Sequence, residues 1–280
     1  MIVVTGATGN VGRTLVRLLA EAGEQVTAVS RRIGGSDVPR GVRAVPADLA
    51  RPESLRPVLE DADALFLLVS GDLFASGRTP EEVISGTSGA GRIVFLSSQA
   101  VATRPRSVSH GRFGGGFERA VMDSGAEWTI LRPGGFASNT FAWAESVRTR
   151  RTVAAPFGDV GLPVVDPDDI AEVAAAALRK PEHGGRIYEL TGPEPVSPRQ
   201  SADAIGRALG EPVAFAEQSR EEARAQMLAF MPGPVVDTTL AILGEPTRDE
   251  QRVSPDIERV LGRSPGTFAA WAERNAAVFR

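Results

Sequence analysis

Met1-Ile2-Val3-Val4-Thr5-Gly6-Ala7-Thr8-Gly9-Asn10-Val11-Gly12 opens the chain and decides how the rest is read. Ile2, Val3 and Val4 form a short apolar run of the kind a buried strand needs. From Val11 onward, Val11, Leu15, Leu18, Leu19 and Ala22 recur at helical spacing until Gly23 stops the run. Gly6, Gly9 and Gly12 lie between the two patterns. Gly6 permits the tight turn, and Gly9 lets backbone approach a diphosphate. The helix start then offers free N–H groups and the positive end of its dipole. This strand–glycine loop–helix unit predicts a dinucleotide-binding turn, with Gly6, Thr8, Gly9, Asn10, Val11 and Gly12 as its contacts. A tight turn without a ligand is the bland alternative.

Working outward, strand and helix patterns alternate. Gln25–Val29, Val42–Val45, Ala64–Val69, Ile93–Leu96 and Trp128–Leu131 read as strands. Pro52–Leu59 reads as a helix weakened by Pro57, and Phe117–Ser124 as one ended by Gly125. Thr79-Pro80-Glu81-Glu82 carries a helix-start signature, with an N-cap, an early proline and first-turn acids. Alternation of this kind predicts an α/β fold with a doubly wound parallel sheet, the Rossmann fold. The pattern loosens after Arg132-Pro133-Gly134. Helices are expected at Asn139–Arg150, Pro167–Arg179, Pro198–Leu209, Arg220–Phe230 and Pro255–Leu261, with strands at Arg186–Leu190 and Val213–Phe215. The expected organisation is a nucleotide-binding core over residues 1–134. Residues 135–280 follow as a mixed region with a late sheet strand and a helical substrate-binding part packed on that core.

The residues after the second strand bear on the nucleotide. Ser30-Arg31-Arg32 has no acid for a ribose 2′-hydroxyl, whereas a hydroxyl and two guanidiniums suit a 2′-phosphate through charge-assisted hydrogen bonds. NADP(H) is therefore the expected cofactor, against the alternative that an arginine here only faces water. Asp48, followed by Leu49, is read either as a partner of the adenine amino group or as the N-cap of the next helix. Val69 and Ser70 end the fourth strand, and Ser97 the fifth. With Pro133 they are expected to line the nicotinamide channel, because ligands of open parallel sheets bind at strand C-termini.

Scarce residues narrow the chemistry. The chain has 280 residues, no cysteine, one tyrosine (Tyr188), one lysine (Lys180) and two histidines (His110 and His183). Thiol nucleophiles, disulfides and cysteine or histidine metal cages are excluded. Asp166, Asp168 and Asp169 read as the start of a helix rather than a metal site, so no metal is expected. A net charge of −4 argues against nucleic acid as a partner. No run approaches the ~20 apolar residues of a membrane span. With no charged segment ahead of the first strand, a cytoplasmic protein is expected, and a homodimer is left open as an assembly.

TGATGNVG (5–12), SRR (30–32), ADL (47–49), FLSSQ (95–99) and LRPGGF (131–136) together resemble the NmrA-like group of atypical short-chain dehydrogenases/reductases. VVDPDDIA (164–171), YELTGPE (188–194) and GRSPGTFAAWA (262–272) extend the resemblance over nearly the whole chain. It implies either an NAD(P)H-dependent quinone, azo or natural-product reductase or a non-catalytic sensor that binds the dinucleotide and a partner protein. Enzymes of the wider superfamily use a Tyr-x-x-x-Lys pair. In this chain those slots fall on His110 and Gly114, so the Tyr–Lys relay is absent. His110 is the candidate proton donor, with a surface histidine as its alternative. Ser97 is a candidate for orienting a substrate carbonyl, with turn capping as its alternative. Phe136, Asn139, Trp143, Met227 and Phe230 are the candidate substrate contacts, also read as core. The leading expectation is an NADPH-dependent reductase of a small planar or aromatic acceptor, such as a quinone or polyketide-type metabolite.

Overall fold

The computed structural model describes residues 1–69, 73, 76–87 and 89–280. A seven-stranded sheet runs in the order β3-β2-β1-β4-β5-β6-β8. Its strands are β1 (Ile2–Thr5), β2 (Val26–Ser30), β3 (Arg43–Pro46), β4 (Ala64–Leu68), β5 (Arg92–Leu96), β6 (Glu127–Pro133) and β8 (Arg186–Leu190). The pairings from β3 through β6 are parallel, as the α/β alternation predicts. The chain order reverses direction between β1 and β4, which places the ligand crevice of a doubly wound sheet at the carboxyl ends of those strands. Their pairing ends at Val4 and Phe66. Beyond it, the buried Thr5 hydroxyl takes over the ladder, donating to the Phe66 carbonyl at 3.0 Å and accepting the Leu68 N–H at 2.9 Å. One core cluster covers this sheet, centred on Val3, Leu65, Leu67, Ile93, Phe95, Phe117 and Ile130.

Two compact units follow the chain discontinuously. The first holds 1–133 and 167–189, the second 134–166 and 190–280. A single cut at residue 134 therefore does not describe the chain. The helix Pro167–Arg179 packs beside the first helix, Asn10–Glu21, where Thr14 Oγ1 donates to Asp168 Oδ1 at 2.8 Å. The second unit has its own aromatic core, in which Phe141 lies 5.1 Å from Trp271 and 6.1 Å from Phe279 between ring centroids. It also holds a two-stranded parallel pair, β7 (Thr152–Ala155) with β9 (Ala214–Glu217).

Several elements differ from the sequence expectation. Pro52–Leu59 is split into a 3₁₀ turn (Pro52–Ser54) and a short helix (Arg56–Leu59), because Pro57 has no N–H and is tolerated only in a new first turn. The helix at Asn139–Arg150 begins as a 3₁₀ segment, Ala137–Trp143, before turning α at Ala144. There the Thr140 hydroxyl takes the Ala137 carbonyl and the Asn139 N–H takes that of Phe136. The helix at Arg220 stops at Met227, and Phe117–Ser124 starts earlier, at Gly114. Strand β7 and the helices Gly233–Gly244 and Phe268–Arg274 carry no expectation from the sequence.

Candidate functional site

The loop after β1 is built around its glycines. Gly6 sits at φ +64°, in the left-handed region that favours glycine. A methyl group on Gly12 would stand 2.2 Å from the Gly6 carbonyl oxygen, so only glycine lets the first helix turn this close to the loop. Gly9 is the N-cap and supplies no side-chain acceptor, and the first helical turn contains no acid. The N–H groups at this helix start have neither a capping side chain nor a carboxylate to satisfy them, which is the electrostatic signature of an anion site. Val11 is buried and anchors the turn, whereas Asn10 is exposed at its mouth.

The loop is fastened to β2. The Ala7 N–H donates to the Val29 carbonyl at 3.1 Å, and the Thr8 and Ser30 hydroxyls lie 3.0 Å apart. Arg31 and Arg32 follow on the exposed rim. The next acid downstream, Asp37, turns its carboxylate to the Gly34 N–H at 2.8 Å. Among the described residues that follow β2, two guanidiniums and a hydroxyl come before the first carboxylate, and that carboxylate is engaged by Gly34.

Asp48 is not the N-cap of a helix. Its Oδ1 accepts the Ala50 N–H at 3.0 Å, and its backbone N–H donates to Ser54 Oγ at 3.0 Å, which makes it a turn former. Leu49 and Val69 are half-buried and pack against the sheet core, while Ser70 lies outside the described residues. Pro133 is buried, and its carbonyl accepts the Gln99 N–H at 2.9 Å, tying the end of β6 to the end of β5.

Ser97 belongs to a network that sequence reasoning missed. Its hydroxyl donates to Glu118 Oε1 at 2.5 Å. Glu118, 3% exposed, also accepts Arg132 Nε at 2.9 Å on Oε1 and Arg132 Nη2 at 2.5 Å on Oε2. The hydrogen bonds it donates to Glu118 hold the Arg132 guanidinium above its ordinary pKa, partly offset by burial. With its proton spent on a buried carboxylate, the Ser97 hydroxyl keeps only acceptor capacity. The adjacent Ser98 hydroxyl accepts the Ala100 N–H at 3.2 Å. The signal in the sequence was a lone acid on a helix followed by an arginine at the end of the next strand, and neither is distinctive alone.

His110 lies on a π-helical turn, Val108–Phe113, that runs directly into the helix Gly114–Met122. It is half-buried, with Nδ1 2.9 Å from Ser109 Oγ, and desolvation pulls its pKa below the ordinary value. The surface-loop alternative therefore does not describe it. Gly114, in the lysine slot, is closed by packing, since a methyl there would meet Val101 Cγ2 at 2.9 Å. A methyl on Gly111 would meet the Arg104 carbonyl oxygen at 2.1 Å.

Tyr188 is occupied elsewhere, 2.8 Å from Nδ1 of the buried His183. Among the described residues there is no group of His, Asp or Glu able to hold a metal, and no helix long and apolar enough to cross a membrane. Within the second unit, Trp143 packs against the aromatic core, and Met227 packs with Met231 against Ala223, Val236 and Leu240. Phe136 is half-buried beside Val165, Asn139 is exposed, and Phe230 is 71% exposed.

Residues 6–181 match a family model described as NAD(P)H-binding. The chain is 35% identical over 283 residues to the (4-alkanoyl-5-oxo-2,5-dihydrofuran-3-yl)methyl phosphate reductase of Streptomyces griseus, covering 100% of this chain and 99% of that one. It is 31% identical over 290 residues to the NAD(P)H azoreductase of Xenophilus azovorans, again covering 100% and 99%. A crystal structure of an Escherichia coli NADPH-dependent quinone oxidoreductase with NADPH superposes with a TM-score of 0.81 at 22% identity, over 98% of this chain and 99% of that one, a likeness of fold.

Proposed function

Because the chain belongs to the NAD(P)H-binding family, in keeping with its NmrA-like resemblance, and is an NAD(P)H-dependent oxidoreductase, we propose that it uses NADPH to reduce a small, planar, conjugated acceptor. One observation supports this reading: a helix start with no capping side chain and no acid coexists with His110 and a Gly114 packed against Val101 at the positions where the resemblance puts the Tyr–Lys relay. An isolated ketone needs a strong acid at its oxygen as hydride arrives. A quinone-like, azo or unsaturated lactone acceptor spreads the incoming charge over a conjugated system, so a weaker donor suffices. The named activities of the two similar reductases above fall within that class.

NADPH, when bound, supplies the hydride, and the protein positions it and manages the proton. In this reading the loop N–H groups hold the diphosphate, while Ser30, Arg31 and Arg32 face the 2′-phosphate. His110 is neutral near pH 7 because burial disfavours its charged form, so it donates a hydrogen bond from one ring nitrogen and passes a proton from water. Overall, the acceptor gains one hydride and one proton. The test is loss of reduced-nicotinamide absorbance on adding, one at a time, a benzoquinone, an azo dye and a 2-acyl-butenolide. Oxidation that depends on at least one of them is expected. Bound NADPH that none of the three oxidises overturns the reading.

A further inference from the structure

Arg13, one turn into the first helix, does not point away into water like an ordinary surface arginine. Its side chain folds back toward the helix start, and Nη2 donates to the Thr8 carbonyl at 3.3 Å. Thr8 is the loop residue whose hydroxyl meets Ser30 at the end of β2. One residue therefore connects the Arg13 guanidinium on one side with Ser30-Arg31-Arg32 on the other. The mutual Thr8–Ser30 bond uses one of two hydroxyl hydrogens and leaves the second to donate. The first turn of the helix that carries Arg13 has no acid, and the Asp37 carboxylate accepts the Gly34 N–H. Among the described residues, four of the five guanidinium N–H donors remain beyond the bond to Thr8.

We propose that Arg13 closes the 2′-phosphate end of the nucleotide site opposite Arg31 and Arg32, and that it sets the preference for NADPH over NADH. The role rests on the NADP(H) reading above and adds to it a residue from a different element. A guanidinium held in place by a backbone carbonyl has little freedom to lose on binding, so its charge-assisted hydrogen bonds to a phosphate dianion are strong for an exposed group. The unphosphorylated 2′-hydroxyl of NADH offers it no charge. Arg13 therefore discriminates instead of merely adding affinity.

The experiment is fluorescence titration of full-length wild type and Arg13→Gln with NADPH, NADH and 2′,5′-ADP. The expected result is NADPH and 2′,5′-ADP weakened on the order of tenfold, with the NADH constant unchanged. The unchanged NADH constant also certifies that the variant is folded. Equal weakening of NADPH and NADH would place Arg13 at the diphosphate and overturn the proposal, as would no change in either. A wild type that does not prefer NADPH sinks the cofactor reading itself, which is a distinguishable failure.

Discussion

The loop at Gly6–Gly12 and the turn at Gly111–Gly114 use the same device for opposite ends. In both, a missing Cβ lets backbone pass where a methyl would stand about 2 Å from a carbonyl oxygen, Gly6 for Gly12 and Arg104 for Gly111. At the first loop the close approach leaves a helix start without a capping side chain or an acid, so an anion is attracted. At the second, the π-helical turn runs on into the next helix, and Gly114 is covered by Val101. Close packing thus leaves unsatisfied N–H groups in one place and, in the other, fills the space a larger residue at Gly114 would need. Whether glycine makes a site depends on which polar groups are left over.

Four measurements test that contrast. The largest effect is expected from Glu118→Ala, which strands the Arg132 guanidinium against the sheet. A loss of about 3–5 kcal/mol in urea unfolding is expected, and a loss near zero would show that water already solvates this pair. His110→Ala follows: turnover falls on the order of 10²-fold with the NADPH dissociation constant unchanged, and an unaltered rate removes His110 from proton transfer. Next, Gly12→Ala and Gly111→Ala should each cost about 1–3 kcal/mol of stability, yet only Gly12→Ala should abolish NADPH binding. Equal binding by both variants would erase the distinction between the two turns.

The smallest effect is on pH. Desolvation lowers the pKa of both His110 and His183; for His183, Glu182 opposes the shift, and Lys180 and Arg92 add to it. The unfolded chain therefore binds more protons than the native one just below the ordinary value of 6.5. Stability is complete above that value and falls as pH drops through the window beneath it. His183→Gln should flatten part of that slope in melting experiments between pH 5 and 7, and an unchanged slope would assign it to carboxylates.

Local chemistry was legible in the sequence wherever neighbours along the chain do the work. Thr79-Pro80-Glu81-Glu82 reads as a helix start and forms a capping box, with the Glu82 N–H on Thr79 Oγ1 at 3.2 Å. The strands of the sheet and the loop at Gly6–Gly12 were equally plain, since buried parallel strands are continuous apolar runs. β7 was not legible, because Thr152–Ala155 is a strand only through its pairing with β9 far along the chain. Of the two roles open to Asp48, the helix cap is removed by the turn to Ala50 and Ser54, a local geometry that residue type alone does not specify.

Residue order alone is enough for the sheet, the glycine loop and the absence of a Tyr-x-x-x-Lys pair. Each follows from residue type at short spacing or from a residue that is simply missing. That Ser97 gives its proton to Glu118, that Arg13 turns back to Thr8 and that Val101 packs over Gly114 follow from the folded chain alone. Those facts depend on which distant side chains share a desolvated space. There a polar group must find a partner, and a gap must find a methyl, wherever in the chain they come from.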